Sequence, residues 1–384
     1  MRLQLKNIGQ TTDADIRFGD LTVFVGPQAT GKSIALQFLK LVLDIGHVQE
    51  EMTRYGLDWS GELPRFFDAY FGEGMSGLWR QGESKVSWAG HTIDLPRLIG
   101  RVRKNKVESA FYIPAQRVLA LRNGWPRPFS DYSPGDPFVV AEFSEKLRVL
   151  VEREFGAQEA LFPQPSRLKQ EFQDMLQQNV FRGFDLRIDR SRPQKRLVLG
   201  PEDHPLPFMA WSAGQREFVP LLLGFYWLMP PSKAKTRGTI EWVVLEELEM
   251  GLHPRAIEVL LLMTMELVSR GYRVCLSSHS PQVLEALWAL QRLIAYRGSP
   301  QALLGVFEAP NTARLRKLAE TVMAKRAKVY YFDPTTGTTT DISELDVDSE
   351  EAGGDGWGGL SEFSGRVNSA VARVVANARR RAEP

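Results

Sequence analysis

Gly26-Pro27-Gln28-Ala29-Thr30-Gly31-Lys32-Ser33 follows the pattern G-x-x-x-x-G-K-[ST]. This spacing serves phosphate binding. Its glycines let backbone N–H groups curl inward around phosphate oxygens at a helix start, where the helix dipole favours anions. Lys32 would neutralise the terminal phosphates, and the Ser33 hydroxyl would take one coordination position on Mg2+. A Gly-rich turn with an incidental lysine is the alternative. The flanking sequence argues against it: the fully apolar run Leu21–Val25 precedes the loop, and an apolar helix follows from about Lys32 to Ile45, with Gly46 as its C-cap.

Four further groups carry chemistry. In Val243-Val244-Leu245-Glu246-Glu247, two carboxylates stand where an apolar strand emerges. In P-loop enzymes such a strand edge holds the Mg2+-side carboxylate and a residue orienting the attacking water, so by that resemblance Glu246 would bind Mg2+ waters and Glu247 would polarise the nucleophilic water; a solvated pair capping the strand is the alternative. Ser212-Ala213-Gly214-Gln215 opens an apolar helix. Ser212 and Gln215 have capping-box spacing, and the same helix start with Ser212 and Gly214 is also a second anion cradle. Two cradles in one chain suggest ATP held between two protomers. In Ser278-His279-Ser280-Pro281, His279 is positioned to reach a γ-phosphate or to act as a polar cap, and Gln116 to bind Mg2+ or the attacking water or to sit in a surface loop.

These groups need a scaffold that brings them to one edge. The pattern predicts strands over Arg2–Asn7, Asp15–Phe18 and Leu21–Val25, then hairpins Lys85–Trp88 with Thr92–Leu95 and Asp185–Ile188 with Arg196–Leu199. Ser109–Ile113 is a further strand. Thr239–Leu245, the helix Pro254–Ser269 and Arg273–Ser277 form a β-α-β unit of the kind found in parallel sheets. A late strand, Lys328–Phe332, returns along Thr338–Ile342. The acidic, Gly-rich stretch 346–359 reads as a linker before a terminal helix.

Composition narrows the function classes. The 384 residues carry 48 Lys+Arg against 46 Asp+Glu, so nucleic-acid contact would need a local patch. Two basic clusters exist, Arg101, Arg103, Lys104 and Lys106, and Arg187, Arg190, Arg192, Lys195 and Arg196; a solvated charged face is the alternative for both. One cysteine and five histidines give neither a disulfide framework nor zinc-ligand spacing. No targeting signal or membrane span is visible, which leads to the expectation of a cytoplasmic protein without membrane insertion.

Taken in order, the motifs resemble those of ABC-type ATPases of the kind shared with SMC proteins. Gly26–Ser33 matches the Walker A motif, Gln116 the Q-loop, Ser212-Ala213-Gly214-Gln215 the signature, Val243–Glu247 the Walker B motif, Gly251-Leu252-His253-Pro254 the D-loop and His279 the switch histidine. The run Leu245–Pro254 and Ser278–Pro281 are similar to the overcoming-lysogenization-defect ATPases. Glu246 departs from the frequent Asp, Leu248 from the frequent Pro and Ala29 from the frequent Gly. About 100 residues follow residue 282, which leads to the expectation of a chain without the Toprim nuclease domain of full-length members of that group.

The resemblance implies an α/β fold: a P-loop ABC-type ATPase head with a mixed sheet core and a helical insertion lobe. The expected division is a core over 1–118 and 236–345, a helical signature lobe over 119–235, and a linker with a terminal helix over 346–384. It further implies ATP and Mg2+ as cofactors, held by residues 26–33, Ser212, Gly214, Gln215, Gln116 and Glu246, with Glu247, His279 and Gln116 in catalysis. The implied protein is a homodimer or higher homo-oligomer that closes on ATP and controls a separately encoded protein effector, such as a nuclease, in anti-phage defence or DNA maintenance; DNA or RNA stays open as a partner. A transporter's ATP-binding subunit and an ATP-dependent scaffold with little turnover are the competing readings. The sequence offers no N-K-x-D element for a GTPase.

Overall fold

The computed structural model describes residues 1–344 except 102–106, 157, 159, 192, 202 and 231–234. The linker and terminal helix expected over 346–384, and Arg103, Lys104, Lys106 and Arg192, lie outside the described residues.

In chain order the elements that matter are β1 (Arg2–Ile8), β2 (Thr11–Arg17), β3 (Leu21–Val25), α1 (Lys32–Arg54), β4 (Lys85–Trp88), β5 (His91–Ile93), β6 (Ala110–Ile113) and α2 (Phe138–Val149). They continue with β7 (Ala160–Phe162), β8 (Leu186–Asp189), β9 (Arg196–Leu199), α3 (Ala213–Leu228), β10 (Trp242–Glu246), α4 (Pro254–Arg270), β11 (Arg273–Ser278), α5 (Pro281–Ala295), β12 (Ala327–Phe332) and β13 (Thr339–Asp341).

A six-stranded sheet in the order β13-β12-β3-β11-β10-β6 forms the centre. Every neighbouring pair in it is parallel except β12 with β13. Parallel strands send their carboxyl ends to one edge, so the segments after β3, β6, β10 and β11 share that edge, where ligands bind in open α/β sheets. Both faces of the sheet are covered. In β3, Leu21, Val23 and Val25 enter one apolar core while Phe24 enters the other; in β10, Val243 and Leu245 oppose Trp242 and Val244 in the same way. This is the period-two alternation of a strand, and burial on both sides explains the continuous apolar runs.

The antiparallel sheet β2-β1-β4-β5 and α1 cover one face. Helices α3, α4 and α5 cover the other, together with the small antiparallel sheet of β7, β8, β9 and the short strand Leu206–Pro207. Both expected hairpins form, within a residue or two of the expected ends.

The largest boundary error concerns α1. Gly46 does not cap it: the helix runs on to Arg54, burying Val48 and Met52, with non-helical dihedrals at Asp44. Asp44 leaves helical geometry because its carboxylate accepts from the amides of Ser109 and Ala110, at 2.8 and 3.0 Å, at the start of β6. The fully buried Lys40 ammonium pairs with Asp44 at 2.9 Å, Glu108 at 3.2 Å and Glu142 at 3.3 Å. Burial opposes its charge, yet Asp44, Glu142 and Glu108 together hold the Lys40 pKa well above its ordinary value. His47 joins the same network through Glu142, at 2.7 Å. Charges this deep persist only when paired and hydrogen-bonded, and here they lock the helix after the phosphate loop to an edge strand. Among the described residues, no helix is long and apolar enough to cross a membrane.

Candidate functional site

The loop after β3 turns sharply because Gly26 and Gly31 adopt φ of 136° and 93°. A Cβ at Gly26 would lie 2.6 Å from the Phe332 carbonyl oxygen, and one at Gly31 only 2.4 Å from the Thr11 hydroxyl. Glycine is therefore demanded at both positions by conformation and by space. Ala29 takes φ of 58° without being glycine, so the departure noted in the sequence sits at a left-handed position that costs an alanine about 1–2 kcal/mol.

Lys32 folds back into the loop, donating to the Gly26 carbonyl at 2.8 Å and the Thr30 hydroxyl at 3.2 Å. Burial pulls its pKa down to about 8, against the opposing fields of Glu247 and Glu249. A nucleotide's phosphates would raise it again, so binding above that pH takes up a proton. Nucleotide affinity is therefore expected to fall as pH rises through about 8, approaching tenfold per unit well above it. Titration calorimetry at pH 7 and pH 9 in buffers of differing ionisation heat checks both the affinity and the proton uptake.

Glu246 ends β10 with 2% exposure. Its Oε2 accepts from the Ala115 amide at 3.0 Å, while Oε1 is buried with no protein partner. Burial pushes this carboxyl up, opposed by the Ala115 amide and the nearby hydroxyls of Tyr112 and Ser33. A buried, unpartnered carboxylate oxygen close to the Ser33 hydroxyl fits the water shell of Mg2+, a hard cation that keeps most of its waters. Ser33 and Glu246 are therefore the side chains that would hold the metal.

Glu247 follows at φ 44°, a strained conformation for a non-glycine residue. Its amide donates to the Ser277 carbonyl at 3.0 Å and its carbonyl accepts from Arg117 at 3.1 Å, so both sides of the residue are fixed. The turn delivers its Oε1 to within 3.0 Å of His279 Nε2. That hydrogen bond is the first cause of a Glu247 carboxyl held below its usual range. An ionised carboxylate beside an imidazole, facing Lys32 across one cleft, can orient and polarise a water. Glu247, His279 and residues 28–34 line this cleft together with Gln10, Met75 and Leu78.

Gln116, Ser212, Gly214 and Gln215 do not line this cleft. Gln116 is exposed beyond β6, although the amide of its neighbour Ala115 reaches Glu246. Ser212 and Gln215 make a complete capping box, at 3.2 and 2.9 Å, at the start of α3. Among the described residues, none of the signature segment lines the cleft. In the second basic cluster, Arg187 pairs with Asp185 at 3.1 Å and Arg196 with Asp189 at 2.9 Å, so local carboxylates balance much of the charge.

Two site residues were not singled out from the sequence. Glu249 accepts through Oε1 from the His279 amide at 2.7 Å and the Ser278 hydroxyl at 2.8 Å, fixing the switch segment. Arg117, wholly buried, binds the backbone of both Walker B glutamates. The third carboxylate in Glu246-Glu247-Leu248-Glu249 and an arginine in the loop after the β6 strand were the available signals.

Residues 127–285 match the family described as "AAA domain, putative AbiEii toxin, Type IV TA system". None of the curated proteins matches the chain. Among solved structures it is similar to an SMC head bound to the C-winged helix domain of ScpA, at 12% identity, covering 89% of this chain and 96% of that one with a TM-score of 0.42. It is also similar to the SMC head domain from Thermotoga maritima, at 12% identity, 89% and 97% coverage and a TM-score of 0.35. The fold itself is α/β: a mixed sheet whose parallel strands carry the phosphate loop, the acidic strand end and His279 to one edge.

Proposed function

We propose that this protein is a Mg2+-dependent ATPase that dimerises around ATP and couples binding and hydrolysis to control of a separate protein effector. The observation that carries the reading is the Glu247–His279 pair, 3.0 Å apart, on the same cleft as the Walker A lysine. The loop amides and Lys32 bind the phosphates, and Ser33 with Glu246 would hold the metal, which would supply charge neutralisation at the phosphates. Glu247 takes the proton of the attacking water, and His279 orients Glu247 and senses the γ-phosphate.

The signature does not line its own chain's cleft, while Ser212 and Gly214 start a helix whose dipole favours phosphate. A two-fold dimer supplies that helix start from the second copy, which completes both sites by symmetry. ATP then cross-links the protomers and hydrolysis releases them. Residues 127–285 match a family described as a putative AbiEii toxin of a Type IV TA system, and we read the chain as acting in anti-phage defence or DNA maintenance, with an effector that responds to closure.

Mixing two inactive variants tests the composite site. Lys32→Ala removes one protomer's phosphate lysine and Ser212→Arg blocks the signature of the other. Mixed dimers then retain one intact site, so an equimolar mixture is expected to recover about a quarter of wild-type turnover. No recovery, with mixed dimers demonstrated by differential tagging, would place each site wholly within one chain.

A further inference from the structure

We propose that Arg117 is a positioning residue that ties the signature helix to the backbone of the catalytic glutamate. The inference rests on the ATPase reading above and assigns the coupling within that site.

Arg117 begins the short turn after β6 and has no exposed surface. Its guanidinium spends its donors on three backbone carbonyls. Nε reaches Glu217 on α3 at 3.2 Å, Nη1 reaches Glu246 at 3.1 Å and Nη2 reaches Glu247 at 3.1 Å. The Glu217 carboxylate stands 3.5 Å from Nε as well. One rigid, planar fork thus joins the helix behind the signature to the strand end that presents Glu247.

Neighbouring contacts make the junction tight. A Cβ at Gly214 would lie 3.0 Å from the Gly251 carbonyl, and one at Gly251 would lie 3.1 Å from Glu217 Cγ. The start of α3 therefore rests directly on the turn that follows the two glutamates. Burial opposes the Arg117 charge, and Glu217, Glu249, Glu247 and Glu246 favour it. An arginine is retained here because it alone can serve three carbonyls in fixed directions; lysine has a single nitrogen.

The consequence concerns Glu247, whose left-handed backbone is fixed through the carbonyl that Arg117 holds. When a second protomer's nucleotide engages the signature, any displacement of α3 is passed through Arg117 to the Glu247 peptide. The carboxylate reaches its working position only with the signature engaged, so binding and hydrolysis are separable at this residue.

The test compares wild type, Arg117→Lys and Glu217→Gln by ATP binding, steady-state turnover and thermal midpoint. Arg117→Lys is expected to bind ATP within about threefold of wild type and to lower kcat by about 10- to 100-fold, as misplacement of a catalytic group by about an ångström does. Glu217→Gln keeps the Arg117 carbonyl bonds and loses only the ion pair, so its kcat is expected to fall by about three- to tenfold at unchanged affinity. If Arg117→Lys does not fold, Glu217→Gln carries the test alone. Turnover equal to wild type in Glu217→Gln, or a loss of affinity that accounts for the whole fall in kcat/KM in either variant, overturns the coupling. A wild-type protein that binds ATP with Mg2+ but never hydrolyses it rejects the ATPase reading itself, a result distinct from either variant outcome.

Discussion

Glu247→Gln is expected to abolish most ATP turnover while leaving ATP binding intact. Glutamine matches glutamate in shape and still offers an oxygen to His279, which lies 3.0 Å from Glu247 Oε1 in the native protein. It cannot accept a proton from water. Removal of a general base typically lowers kcat by about 10²- to 10⁴-fold, and that range is expected here. Phosphate release measured beside nucleotide titration separates the two steps. Because Lys32, Ser33 and Glu246 are untouched, ATP should remain bound, and the variant should accumulate in the closed state. Wild-type turnover in Glu247→Gln would move the base elsewhere and leave the strained turn at Glu247, φ 44°, without a catalytic purpose.

Lys32→Ala carries the second large effect, on binding. The native ammonium lies 2.8 Å from the Gly26 carbonyl, inside the turn that faces the phosphates. A hydrogen bond to a charged group contributes about 1.5–3 kcal/mol, so its loss should weaken ATP binding by about 10- to 100-fold. The lysine's own bonds to the loop are lost, but the close approach of Phe332 and Thr11 to Gly26 and Gly31 still confines the turn, so the loop should keep its path. Titration calorimetry reads the affinity, and an unchanged thermal midpoint without nucleotide shows that the fold survives. Equal affinity in the variant would remove Lys32 from the phosphate site.

Much of this site was legible from sequence for local reasons. Leu21–Val25 is buried on both faces, so it reads as an apolar run, and the loop after it must be glycine-rich to curl around anions. The hairpins of β4 with β5 and of β8 with β9 announced themselves by alternation and turn residues. The extent of α1 was not legible, because Asp44 bends it through contacts with β6, more than 60 residues away. Arg117 escaped for the same reason. Its partners are backbone carbonyls of Glu217, Glu246 and Glu247, and a carbonyl leaves no mark in the sequence. Motif order drew attention to the exposed Gln116 next door, while the buried residue beside it holds the site together.

The small sheet of β7, β8 and β9 shows a related limit. Its β7 comes from well upstream of β8, whereas the β8–β9 hairpin and the pairing of β9 with Leu206–Pro207 are local. Pro220 lies inside α3, whose Phe218, Val219, Leu221 and Leu222 are all fully buried, so tertiary packing outweighs the local cost of proline.

The central claim is that ATP joins two copies of this chain. The most direct measurement is the mass in solution of Glu247→Gln by light scattering, with and without ATP and Mg2+. The account predicts the mass of one 43.4 kDa chain without nucleotide and twice that mass with it, the gain being lost in the Lys32→Ala background. A single-chain mass under both conditions, with ATP shown to be bound, would contradict it.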